Sequence, residues 1–183
     1  MTELNSVGDV VVTESETMRA LADPIRISLL DRLRREGPMN AAELASLLAS
    51  QEPVIRGHLD ELERVGLVAR DVRGWSAVGK GLVFEIPDDP DGQQAARALT
   101  GVMLLHYVDV PRRWVADDES RVTLDWIRAA GMSNARVTVT PDELRGIQEA
   151  LERLLEPFIT RESDAVPVGA GDVRILSYFL PEP

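Results

Sequence analysis

From Pro53 to Val65 the apolar residues Ile55, Leu59, Leu62 and Val65 recur at helical spacing, and at Gly66 the period drops from near four to two. "LVARDV", "RG" and "WSAV" then read as a strand, a tight turn and a returning strand, with "LVFEI" a further strand after the flexible "GKG". A helix that empties directly into a hairpin leaves few folds open, and the upstream signals narrow them again. Asp23 can cap a helix that Pro24 begins, with Ile25, Leu29, Leu30 and Leu33 inward and Gly37 as its stop. Asn40 and Glu43 have capping-box spacing at the start of a short helix that carries Leu44, Leu47 and Leu48. Short helices followed by a hairpin form a winged helix-turn-helix pattern, so the expected class is α+β, mainly α with small β.

The expected organisation has three parts. Residues 1–13 form a flexible arm, residues 14–87 the winged helix-turn-helix domain, and residues 88–183 a dimerisation helix with a small strand-helix-strand unit. "PDDPD" marks the second boundary, followed by a helix over about 92–108 whose small residues at 95, 96 and 98 allow close approach of another helix. "VPRRWVADDES" is irregular, "RVTLDWIRAAG" carries a short helix, and "ARVTVT" and "VRILSYFL" read as strands. Between them Thr140, Pro141 and Glu143 start a helix with Leu144, Ile147, Leu151, Leu154, Leu155 and Phe158 along one stripe.

Composition then excludes several functions. There are no cysteines, which removes disulfides, thiolate metal sites and cysteine nucleophiles together. No apolar run approaches the roughly 18 residues that cross a bilayer, and the N-terminus lacks the pattern of a signal peptide, so a cytoplasmic protein is expected. No glycine-rich phosphate loop, nucleophile elbow or zinc-protease motif is present, and no enzyme is expected. A net charge of −11 opposes non-specific affinity for nucleic acid. Its distribution matters more, because residues 17–86 hold 10 basic and 10 acidic side chains and the excess acid lies on either side.

The run "ALADPIRISLLDRL" followed by "MNAAELASLLASQEPVIRGHLDELERVGLVARD" resembles the ArsR-type winged-helix transcriptional regulators. The matching residues are Asp23, Pro24, Arg26, Leu29, Leu30 and Leu33, then Glu43 and Leu44, then His58, Leu59, Leu62, Gly66, Leu67 and Val68. The resemblance covers about residues 17–86 and implies a homodimeric repressor that places a helix in the major groove of double-stranded DNA at an inverted-repeat operator. The helix face opposite Ile55, Leu59 and Leu62 would then meet the bases. Arg56 is the strongest reader there, able to bond guanine bidentately, while Gln51 suits adenine and Glu52 can accept from cytosine N4. His58 stands at the groove edge, and Arg70, Arg73 and Lys80 on the wing would hold phosphates. The chain departs from the usual pattern at Pro53, Val54, Gly57 and Asp60. The rival is a winged helix whose acidic surface docks a protein.

The resemblance also raises metal sensing, but with only His58 and His106 on separate elements, no metal site and no cofactor is expected. His106, Tyr107, Arg113, Trp114, Trp126 and Tyr178 are candidates for a pocket that takes a small organic effector, and the same aromatics serve equally as core.

Overall fold

The computed structural model describes residues 3–182; residues 1, 2 and 183, the ends of the expected arm and C-terminal unit, lie outside them. The chain divides into one unit over residues 1–130 and another over residues 131–183. The first contains β1 (Glu3–Leu4), β2 (Val10–Val12), α1 (Ser15–Leu21), α2 (Pro24–Glu36), α3 (Ala41–Leu47) and α4 (Glu52–Arg64). There follow β3 (Val68–Asp71), β4 (Gly74–Ala77), β5 (Leu82–Phe84), α5 (Pro90–Tyr107), α6 (Asp109–Arg113) and α7 (Leu124–Ala129). This is an α+β winged helix, as the change of period at Gly66 requires.

Local chemistry sets the helix boundaries. Asp23 accepts from the backbone N–H groups of Ile25 and Arg26 at 2.8 and 3.2 Å, which satisfies two of the donors orphaned at the start of α2. Gly37 closes α2 at φ 85°, where a side chain would be strained. At α3, Asn40 accepts from Glu43 N–H at 2.9 Å while the Glu43 carboxylate accepts from Asn40 N–H at 2.8 Å, completing the capping box.

The interior is built from one face of each element. Met18 and Leu21 of α1, Leu29 and Leu30 of α2, Leu44 of α3 and Ile55, Leu59 and Leu62 of α4 are fully buried, joined by Leu67 and by Leu99 of α5. Burying each such side chain stabilises the fold by about 1.5–3 kcal/mol. The wing, β3 with β4, pairs antiparallel with Arg70 opposite Trp75 and Asp71 opposite Gly74. Its base is tied back by reciprocal bonds between Met39 and Trp75, at 3.0 and 2.8 Å. A Cβ on Gly74 would come within 2.5 Å of the Met39 carbonyl oxygen, so that crossing admits only glycine.

The structure corrects the arm. Val10 and Val12 are 1% and 2% exposed, and β2 pairs in parallel with β5, Val10 opposite Leu82 and Val12 opposite Phe84. β1 lies antiparallel on the outer side of β2, giving the order β1-β2-β5. The apolar alternation of Val10 and Val12 is too short to stand out, and its partner lies seventy residues on. The "LVFEI" strand accordingly joins this sheet and not the wing. α5 also differs in use: Ala95 and Ala96 are buried where α5 packs on α1 and α2, so these small residues serve packing within the chain. "VPRRWVADDES" holds α6, a π-helical turn at Trp114–Asp118 and part of a 3-10 turn at Glu119–Arg121.

In the second unit, α8 (Pro141–Ile159) begins with the expected capping box, Thr140 accepting from Glu143 N–H at 3.2 Å and the Glu143 carboxylate accepting from Thr140 N–H at 2.7 Å. The expected flanking strands are absent: residues 131–140 and 171–182 form no ladder. A strand requires hydrogen-bonding partners along its length, and neither segment finds the other or a sheet edge. Ile147, Leu154 and Phe158 remain 41%, 66% and 62% exposed. Among the described residues, no helix is long and apolar enough to cross a membrane.

Candidate nucleic-acid interface

α4 is held by its apolar stripe and presents the opposite side outward. Ile55, Leu59 and Leu62 have no exposed surface, whereas Glu52, Pro53, Val54, Arg56, Gly57 and Asp60 are all exposed. Gln51 is the exposed N-cap residue. The tight link between α3 and α4 fixes the angle at which this face is shown; in it Ala49 adopts φ 49° and Ser50 N–H donates to the Ala45 carbonyl at 2.9 Å. Pro53 and Gln51 start α4 without a side-chain cap. A helix is about 10–12 Å across, close to the width of a major groove, and α4 offers it one bare face over 13 residues.

Three arginines of α4 and the wing are paired with carboxylates within the chain. Arg56 Nη2 donates to Glu52 Oε1 at 2.5 Å, one helical turn back. Arg64 donates to Glu61 at 2.8 and 2.9 Å and to Glu16 of α1 at 2.6 Å, which holds the Glu61 carboxyl below its ordinary pKa through the Arg64 hydrogen bond. On the wing, Arg73 N–H donates to Asp71 Oδ1 at 2.7 Å and its guanidinium reaches Oδ2 at 3.2 Å. That backbone bond, followed by the side-chain bond, draws the Asp71 carboxyl below the usual carboxylate range. Arg70 lies over the Trp75 ring at 5.5 Å from its centroid, a cation–π position that keeps it at the wing surface.

Two of the expected contacts lie elsewhere. His58 is turned toward the start of α2, with Nδ1 3.9 Å from Asp23 Oδ1, and is 20% exposed; it packs the cap of α2 and does not share the outward face with Arg56. Lys80 is exposed but sits between β4 and β5 beside Gly8, whose carbonyl accepts from Lys80 N–H at 2.8 Å, so it belongs to the base of the head and not to the wing hairpin. Val54, on the face expected to meet the bases although assigned no contact there, is a 45% exposed apolar side chain. Its signal in the sequence is a β-branched residue one position off the apolar stripe.

The candidate effector residues are dispersed. His106 Nε2 lies 3.1 Å from Asp31 Oδ2 and Tyr107 OH donates to Asp31 Oδ1 at 3.1 Å, so both fasten the end of α5 to α2. Arg113 and Trp114 stand on α6 and the π-helical turn, Trp126 is half-buried on α7, and Tyr178 belongs to the other unit.

Residues 21–71 match the family described as a helix-turn-helix domain. The match spans α2, α3, α4 and β3, the elements that position the exposed face of α4, and points to a DNA-binding regulator. No curated protein matches the chain.

Proposed function

We propose that the protein is a homodimeric transcriptional regulator, acting as a repressor, that binds an inverted-repeat operator in double-stranded DNA. The observation that carries this reading is α4: a helix inside a matched helix-turn-helix frame, with its apolar stripe fully buried and Arg56 outward. Arg56 reads guanine, Gln51 and Glu52 contact neighbouring bases, and Val54 meets a thymine methyl group. Arg70 and Arg73 approach the flanking backbone. The exposed side of α5, with Ala98, Gly101 and Leu105, supports pairing of two copies about a two-fold axis, which sets the half-sites about one helical turn apart. A small organic effector acting beyond residue 100 would change the angle between the two reading helices.

The test is Arg56→Ala on a duplex selected from a random pool by the purified protein. The expected loss is about 1–3 kcal/mol of binding, with discrimination relaxed at one base position per half-site. Unchanged affinity at every position removes Arg56 as the reader. The internal pairing of arginines on α4 and the wing favours the second reading, a protein-docking winged helix. That reading prevails if the wild-type protein retains no duplex at low salt.

A further inference from the structure

On α4 and the wing, Arg56, Arg64 and Arg73 each already hold a carboxylate, at 2.5, 2.6 and 3.2 Å. The Arg56–Glu52 pair is the one that lies on the outward face of α4. Its geometry is that of an i, i+4 pair with the acid on the N-terminal side, the favourable order on a helix. Both side chains are nearly half exposed, 45% and 46%, so water screens the pair and it breaks readily. α4 does not need it for folding, since Ile55, Leu59 and Leu62 anchor the helix from the other side. The pair therefore bears on what Arg56 can reach.

We propose that Glu52 is a specificity-determining residue that competes with DNA for Arg56, releasing it only to a duplex that satisfies both side chains. The proposal rests on the DNA-binding reading above. On an arbitrary sequence the nearest alternative partner for the guanidinium is a phosphate, and moving Arg56 there strands the Glu52 carboxylate beside a polyanion. A site that presents guanine O6 and N7 to Arg56 and a base amino group to Glu52 removes that penalty, because the carboxylate then accepts from cytosine N4 or adenine N6. Discrimination thus comes from rejecting the wrong duplex as well as from holding the right one. The outward face of α4 itself carries Glu52 and Asp60 against Arg56, an excess of acid that suits this role.

The experiment compares wild type, Glu52→Gln and Glu63→Gln. Glu63 is an exposed acid on the same helix, and its substitution makes the same change in net charge. Each protein is titrated with the selected operator and with a random-sequence duplex across a salt series. For Glu52→Gln the random duplex is expected to bind roughly five- to tenfold more tightly, with a salt slope steeper by about two for a dimer, one arginine freed on each protomer. At the operator the same substitution weakens the acceptor for the base amino group, so affinity there should gain less than on the random duplex, or fall, and the specificity ratio falls. Glu63→Gln should leave that ratio unchanged. An unaltered ratio in Glu52→Gln, or an equal fall in both variants, overturns the inference while the DNA-binding reading stands. If no variant binds any duplex, both are overturned.

Discussion

Among the described residues, Ala49 alone combines a side chain with a positive φ, 49°. The left-handed region costs a residue with a Cβ about 1–2 kcal/mol, and here the cost falls in the turn that aims α4. Ala49→Gly is expected to raise stability by about 0.5–1 kcal/mol, the relief of strain exceeding the added freedom of the unfolded chain, as read by thermal denaturation. A lower midpoint would show that the turn is not strained. Arg56 illustrates how much of a side chain's role the sequence carries. Its position on the outward face follows from helical spacing alone. Its grip on Glu52 also follows from i, i+4 spacing, although the exposed surface alone does not reveal it. His58 shows the opposite case: nothing in its neighbours signals that it leans on Asp23, thirty-five positions earlier, because that contact depends on how α4 crosses α2.

At the scale of elements, the legible parts are those whose signals are local. The caps of α2, α3 and α8 and the change of period at Gly66 are short-range, and each appears where it is expected. Pairing between distant segments is not local, so β2 with β5 was hidden, and the alternation in "ARVTVT" and "VRILSYFL" promised strands that no partner completes. The clamp of Asp31 on His106 and Tyr107 is likewise a long-range contact. It joins two elements at a half-buried site, and Asp31→Ala would leave the Tyr107 hydroxyl without this acceptor. The expected cost is about 1–3 kcal/mol, a fall in midpoint of several degrees for a chain of this size. A conserved midpoint would mean that the apolar packing of α5, including Ala95, Ala96, Leu99, Val102 and Met103, holds it without the clamp.

For the whole molecule, every fully buried side chain among the described residues lies at or before Leu99. A chain ending at residue 130 should therefore unfold in one cooperative transition close to that of the full protein, measured by circular dichroism. Loss of that transition would place essential packing beyond residue 130. The exposed apolar stripe of α8 leads to a further expectation: hydrogen exchange in α8 should be faster than in α2 and α4, whose apolar faces are buried, and equal protection would show that the stripe is covered. The parallel ladder between residues 10–12 and 82–84 has a practical corollary. Val10 N–H bonds the Gly81 carbonyl and Glu85 N–H bonds the Val12 carbonyl, each at 3.1 Å. Residues 10–12 thus form part of the winged-helix fold itself. Cutting the chain back to the matched frame, which starts only at Leu21, would withdraw two interior valines, and the shortened protein should melt at a lower temperature than the full one.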